Sequence, residues 1–253
     1  MSENEGFFSK LSPKTSFFAG LGSMLVIFFV IGFFVLLGLV LKDKKDNGAL
    51  GLAAPAAGEV AGAANPTPQD ITVKEVTGED WIRGNAEAKI TLVEYSDLEC
   101  PFCKNFHETM KQVMADYGQD VRWVWRHFPL TQLHPKAVKE AEAAECAGEL
   151  GGNEAFWKYI DRIFEVSPGN NGLDPAELPK IAKETGLDEG KFTACLDSGK
   201  YAQKIEAAIN EASLAGAQGT PYSVILAGED KIPVSGALPL SDIKSYLDSA
   251  LKQ

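Results

Sequence analysis

The stretch Lys89–Cys103, KITLVEYSDLECPFC, and its continuation Lys104–Tyr117, KNFHETMKQVMADY, decide the fold. Lys89–Ser96 is short, apolar and rich in β-branched and aromatic residues, as a buried central strand is. Asp97–Cys103 breaks that run at a proline, and Phe102–Tyr117 resumes with apolar residues at helical spacing. Val121–His127, VRWVWRH, alternates and predicts another strand, with Trp123 and Trp125 as core residues. Strand, helix and strand in this order predict a βαβ unit.

Upstream, Ile71–Val76 alternates apolar and polar and reads as an edge strand. Downstream, a helical block runs from about His134 to Ala217. In it Phe156, Ile160, Ile163 and Phe164 share one face, as do Ile205, Ile209 and Ala212. Asp174, Pro175 and Glu177 combine an N-cap, a proline in the first helical position and a capping-box carboxylate. After Gly219, Tyr222–Leu226 and Lys231–Gly236 read as two strands around the turn AGED. Ser241–Leu251 closes as a helix with Ile243, Leu247, Ala250 and Leu251 on one face. The chain is therefore α/β, ordered β-α-β, a helical insertion at about 134–217, then β-β-α, with no internal repeat.

The N-terminus is of another kind. Ser16–Leu41 carries no charged residue, and about 20 apolar residues span a bilayer as a helix. A cleavable signal peptide has a shorter apolar stretch, roughly 15 residues at most, so 16–41 reads as a retained transmembrane anchor behind a cytoplasmic tail, 1–15. Residues 42–70, dominated by Ala, Gly and Pro, read as a flexible linker reaching roughly 30 Å, and 71–253 as one globular domain. Lys42, Lys44 and Lys45 after the span, against Lys10 and Lys14 before it, lean mildly toward a cytoplasmic domain. The chemistry below needs an oxidising compartment and overrules that bias, which places the catalytic domain outside the cytoplasmic membrane on a single-pass anchor.

Among the 253 residues, 45% are hydrophobic, 14 are Phe and 4 are Trp, which excludes disorder throughout. A net charge of −11 excludes a general nucleic-acid binder. The four cysteines are too few for a disulfide-dense scaffold.

Cys100-Pro101-Phe102-Cys103 carries the chemistry. At a helix start, the first sulfur meets unpaired backbone N–H groups and the positive end of the helix dipole, which stabilise its thiolate. A thiolate is both the nucleophile and the better leaving group of thiol–disulfide exchange. Cys100 is thus the expected attacking sulfur and Cys103, one turn deeper, the resolving one. Pro101 suits a first turn, where its missing N–H costs nothing. Zinc is the competing reading of a CxxC, but it wants a second ligand cluster, and no histidine stands at ligand spacing from Cys146 or Cys195. No metal or organic cofactor is required. Thr220-Pro221 precedes a strand, where a proline can be held cis in a tight turn. Set opposite the CxxC, it exposes the Thr220 backbone to an extended substrate.

CPFC after VEYSDLE, the segment RHFPL, the AECAGE and ACLDSGKY segments, and GAQGTP before a strand resemble the DsbA family of thioredoxin-fold oxidoreductases, most closely its membrane-anchored or lipoprotein-like bacterial members. The resemblance covers roughly Asp80–Leu251. It implies a thioredoxin fold with an inserted α-helical domain, Cys100 and Cys103 as the redox pair, and Pro221 as the cis-proline. Thr220, Pro101 and Phe102 then form the substrate-binding rim. Glu94 matches a buried acid that assists proton transfer to the inner sulfur, against the plainer reading of a hydrated strand-edge carboxylate. Its pKa is expected to be raised by desolvation. Cys146 and Cys195 resemble a structural disulfide clipping two helices of the insertion, against two buried free thiols. A loop of that length is worth roughly 4 kcal/mol at most.

One departure stands at Phe102, where strongly oxidising members have His, whose positive charge lowers the thiol pKa. Glu99 raises that pKa if it points toward the sulfur. Both temper the expected oxidising power. His107 is expected at the surface, too far from Cys100 for base chemistry. His127 is expected to end a strand, and His134 to start a helix. The implied protein is a membrane-tethered thiol–disulfide oxidoreductase acting on unfolded or reduced secreted proteins, foremost as an oxidase. A quinone-linked membrane partner, DsbB-like or VKOR-like, would reoxidise it. A reductase or isomerase of the same fold, and a non-catalytic thioredoxin-like binding module, are the alternatives.

Overall fold

The computed structural model describes residues 71–252 and, before them, Phe33. The tail, anchor and linker expected over 1–15, 16–41 and 42–70 otherwise lie outside the described residues. Among the described residues no helix is long and apolar enough to cross a membrane.

The described residues form a five-stranded sheet in the order β1-β3-β2-β4-β5. The strands are β1 (Trp81–Gly84), β2 (Ile90–Ser96), β3 (Val121–His127), β4 (Tyr222–Ala227) and β5 (Asp230–Ser235). β2 runs parallel to β3 and antiparallel to β4, while β1 and β5 pair antiparallel at the two edges. This explains why ITLVEYS is buried at every position: the strand is central and both its faces are covered. Helix α1 (Pro101–Tyr117) connects β2 to β3. The insertion holds α2 (Ala137–Val166), a short 3₁₀ turn (Pro175–Glu177), α3 (Leu178–Glu184) and α4 (Glu189–Ser198). Then α5 (Ala202–Leu214) leads into β4, and α6 (Leu240–Ala250) closes the chain.

Side chains alternate across the sheet, so β2 divides its residues between two cores. Leu92, with Trp123, Trp125 and Ile225, packs against Phe106 and Met110 of α1, Ile243 and Leu247 of α6, and Phe156, Ile160, Ile163 and Phe164 of α2. On the other face Val93, Tyr95, Val124 and Val224 pack against Ala212, with Ile209 partly buried beside them. The insertion therefore roofs the face of the sheet that carries the cysteine turn.

Cys146 of α2 and Cys195 of α4 form a disulfide with their Cα atoms 5.9 Å apart. The helix α2 is interrupted at Gly152, whose φ of 75° is a left-handed conformation that glycine adopts without a Cβ clash.

Three local expectations are corrected. Ile71–Val76 forms no strand, and the edge position goes to Trp81–Gly84. Its anchor is tertiary: the Trp81 ring stacks on Phe156 at 4.6 Å, and its Nε1 donates to Glu145 Oε1 at 3.0 Å. Asp174 does cap, accepting from Ala176 N at 3.0 Å. Glu177, however, completes no capping box, because its carboxylate pairs with Lys180 Nζ at 2.7 Å. His107 is fully buried instead of exposed, held by Asp161 Oδ1 at 2.6 Å and packed on Trp123 and Phe164.

Candidate active site at the CPFC turn

Cys100 is the N-cap of α1, with extended backbone (φ −78°, ψ 120°) and Pro101 in the first helical position. The strand thus delivers the first sulfur to the helix end where backbone N–H groups lack intrahelical partners. Cys103, one turn on, points back into the core. Cys100 keeps 4% of its surface exposed and Cys103 none, so an incoming sulfur meets Cys100 first. Both are free thiols in this structure.

The loop before β4 closes the site from the other side. The Thr220–Pro221 peptide is cis, and the Cys100 thiol donates to Thr220 O at 3.5 Å. Pro221 O accepts from Gly236 N at 2.9 Å, tying this loop to the end of β5. Pro101 is half-buried, and Phe102 is 63% exposed beside the cysteines, one of the few large apolar side chains so exposed. The turn and the proline loop, far apart in sequence, thus meet at one sulfur.

The electrostatics of the two thiols diverge. Cys100 is pulled down to about 6, first by hydrogen bonding from the Cys103 thiol. The Thr220 side chain and the backbone N–H groups of Cys103 and Phe102 add to this, against desolvation. The helix-start amides therefore contribute, but the partner thiol is the largest influence. Cys103 is pushed well above the ordinary thiol value, first by burial and then by its hydrogen bond to Cys100. At neutral pH this reads as an ionised outer sulfur and a protonated inner one.

Glu94 lies beneath, wholly buried on the β2 face shared with Leu92. Trp123 Nε1 donates to its Oε2 at 2.9 Å. Burial raises its pKa to about 7, against the nearby Ser96 hydroxyl and the hydrogen bond from Trp123. The hydrated strand-edge alternative is thereby excluded. Trp123 and Trp125 lie in the core as expected, but the donor role of Trp123 toward Glu94 has no local sequence signal, since parallel pairing of β2 and β3 creates it.

Glu99 does not face the sulfur. Its carboxylate turns into the insertion, accepts from Asn171 N and abuts Glu140, whose pKa burial and Glu99 push up to about 10. Asp97 is a hub that no local sequence signal marks. Its carboxylate accepts from Glu99 N, Leu130 N and His134 Nδ1, each at 2.8 Å, and its own N–H donates to Cys103 Sγ at 3.5 Å. His127 does end β3, and His134 precedes α2, its ring turned back to Asp97. Among the described residues no cluster of His, Cys, Asp and Glu is arranged to hold a metal ion.

A thioredoxin-type sheet with a CxxC at a helix start, facing a cis-proline, defines the class of thioredoxin-fold thiol–disulfide oxidoreductases. Residues 76–249 match the family model described as Thioredoxin, and the chain belongs to that family, in its DsbA-like form. The domain is a thiol–disulfide oxidoreductase domain of the DsbA type. The crystal structure of Pseudomonas aeruginosa DsbA2 is 32% identical, with a TM-score of 0.60 over 69% of this chain and 96% of that one. Bacillus subtilis BdbD, oxidised, shares the fold at 20% identity and a TM-score of 0.62, over 73% of this chain and 99% of that one. Among curated proteins, a Na(+)/H(+) antiporter NhaA 3 of Salinispora tropica is 38% identical over 152 residues, 60% of this chain and 22% of its own length. The chain thus spans about a fifth of the length of the curated relatives it matches.

Proposed function

We propose that the chain is a membrane-tethered oxidase that introduces disulfides into reduced secreted or envelope proteins through Cys100 and Cys103. Residues 1–15 are the cytoplasmic tail, 16–41 the anchor, 42–70 the tether and 71–253 the catalytic domain outside the cytoplasmic membrane. A substrate thiolate attacks Cys100 of the Cys100–Cys103 disulfide, and Cys103 leaves. A second substrate thiolate then attacks the substrate sulfur of the mixed disulfide and releases Cys100 as a thiolate. Pro221 and Thr220 shape the opposing loop, Pro101 and Phe102 form the rim, and Glu94 serves the proton of Cys103. The Cys146–Cys195 bridge is structural. A quinone-linked membrane partner, DsbB-like or VKOR-like, restores the disulfide.

The observation that carries this reading is the asymmetry of the two thiols. An outer sulfur held near 6 stabilises the reduced protein and so favours passing the disulfide on. Membrane placement draws support from the uncharged 16–41 run and from kindred segments within chains named Na(+)/H(+) antiporter. A second reading, the same domain as a reductase or isomerase, is favoured by Phe102 in place of a cationic residue.

The pair's reduction potential separates the two. A value toward about −120 mV supports the oxidase, and one toward about −270 mV the reductase. Cys103→Ala expressed in the full chain should accumulate mixed disulfides with envelope proteins. A membrane preparation free of such adducts would count against both.

A further inference from the structure

Four buried side-chain oxygens on the residues around the redox pair have no hydrogen-bond partner among protein atoms: Glu94 Oε1, Ser96 Oγ, Ser223 Oγ and Thr220 Oγ1. Such groups cost free energy where they serve no purpose, so a cluster beside one carboxylate calls for an account. The sheet register brings three of them together. Glu94 of β2 stands opposite Ser223 of β4, and Ser96 follows Glu94 on the same face of β2. Ser96 and Ser223 are each 1% exposed.

Ser96 acts on both the acid and the thiol. Its hydroxyl is close enough to Glu94 and to Cys103 to favour the ionised form of each, while aligned as a full hydrogen bond to neither. The next residue, Asp97, donates its N–H to Cys103 Sγ at 3.5 Å, which holds the sulfur over the Ser96–Asp97 peptide. On the far side, Trp123 occupies Glu94 Oε2 and leaves Oε1 as the oxygen available to the serines. The ionisable groups facing the carboxyl are Cys103 of α1 and Cys100 at the start of that helix.

We propose that Ser96 is the hydroxyl that carries the proton between Glu94 and Cys103, and that Ser223, opposite Glu94 on the facing strand, is a positioning residue that Glu94 Oε1 engages once the carboxyl ionises. The proposal deepens the redox reading and rests on it. When a substrate thiolate attacks Cys100 Sγ, the new substrate–Cys100 S–S bond forms as the Cys100–Cys103 bond breaks. The electron pair of the broken bond leaves on Cys103 Sγ. Ser96 gives its hydroxyl proton to that thiolate and takes the carboxylic proton of Glu94, which ends as a carboxylate. In reverse, Cys103 loses its proton through Ser96 to Glu94 and attacks Cys100 Sγ, expelling the substrate as a thiolate. Neither direction needs an added oxidant, reductant or metal.

The experiment is stopped-flow reduction of the oxidised full chain by a reduced cysteine peptide across pH 5–9, for the wild type, Ser96→Ala, Ser223→Ala, Glu94→Gln and the Ser96→Ala/Glu94→Gln double variant. Ser96→Ala is expected to slow reduction roughly 10-fold, within the reach of general acid catalysis. It should flatten the pH dependence that Glu94 imposes, and add less than twofold once Glu94 is Gln. Ser223→Ala should move the midpoint of that profile with a smaller loss of rate, and Ser96→Thr should restore most of the rate. If Ser96→Ala matches wild type, or slows Glu94→Gln by the same factor as it slows wild type, the relay is wrong while the redox reading stands. A wild-type disulfide that the peptide does not reduce sinks that reading itself. Should Ser96→Ala fold poorly, a proton inventory of the wild type decides the matter. A bowed plot shows two protons in flight and supports the relay, and a straight line contradicts it.

Discussion

Two cysteine pairs in one domain have opposite fates. Cys146 and Cys195 join α2 to α4 across a sequence separation of 49 residues, in a bridge set among apolar side chains of the insertion. Cys100 and Cys103 stand one helical turn apart, with unpartnered oxygens around them and a carboxyl beneath. The distant pair constrains many unfolded conformations; the acid beside it, Glu149, lies 3.7 Å from Cys195 Sγ but is engaged by Lys200 and Tyr201, and the cis-proline loop faces Cys100 instead. The near pair restrains few conformations, so stability gives little reason to keep it closed. What it has is an imbalance, one sulfur favoured as thiolate and the other as thiol. Surroundings, more than the sulfur chemistry, separate a staple from a reagent.

The largest effect that would break this contrast comes from the outer sulfur. Cys100→Ser is expected to bring disulfide exchange with a reduced peptide to the uncatalysed rate, while the Cys146–Cys195 bridge survives. Peptide mapping under non-reducing conditions checks the second half. Residual turnover would mean that the insertion pair exchanges too.

Next in size is the converse change. Replacing both Cys146 and Cys195 by Ala should cost about 2–4 kcal/mol in urea unfolding, through a less constrained denatured state. Exchange per folded molecule should stay within twofold of wild type. A large loss of exchange in the folded variant would show that the insertion bridge shapes the redox site.

Glu94 sharpens the comparison through pH. Its native pKa of about 7 lies above its ordinary 4.5, so the folded protein holds that proton more tightly than the unfolded chain. The sign follows: this group's contribution to stability falls as pH rises from about 4.5 to 7, and the penalty is complete above that. Glu94→Gln removes the charged form. It should therefore stabilise the protein by roughly 3 kcal/mol at pH 8 and by nothing at pH 4. A variant no more stable than wild type at pH 8 would deny that Glu94 is held in a low-dielectric site.

The smallest expected effect lies at the exposed rim. Phe102→His should raise the potential of the pair by roughly 20 mV, because a solvated imidazolium at a helix start acts weakly on the neighbouring sulfur. Equilibration with a glutathione buffer measures it, and a fall in potential would contradict the account.

The central strand, the CPFC turn, the helical insertion and the closing β-β-α were legible in the chain, because each follows from a local period or a turn residue. Glu94 stood out as an acid inside an apolar strand. The elements that escaped owe their places to distant partners. Trp81–Gly84 is too short to show a period, and it is a strand because Trp81 finds Phe156 and Glu145. His107 looks polar in sequence, yet Asp161 from α2 satisfies it within the core. Ser96 and Ser223 are ordinary residues apart, and only the antiparallel register of β2 and β4 sets the Ser223 hydroxyl beside Glu94.

The account turns on the ionisation of Cys100, and iodoacetamide alkylation of the reduced protein across pH 4–10, with mass spectrometry reading the modified site, tests it most directly. The rate at Cys100 should rise with a midpoint near 6, with Cys103 unmodified over the same range. A midpoint near that of a free thiol, about 8.5, would contradict the account.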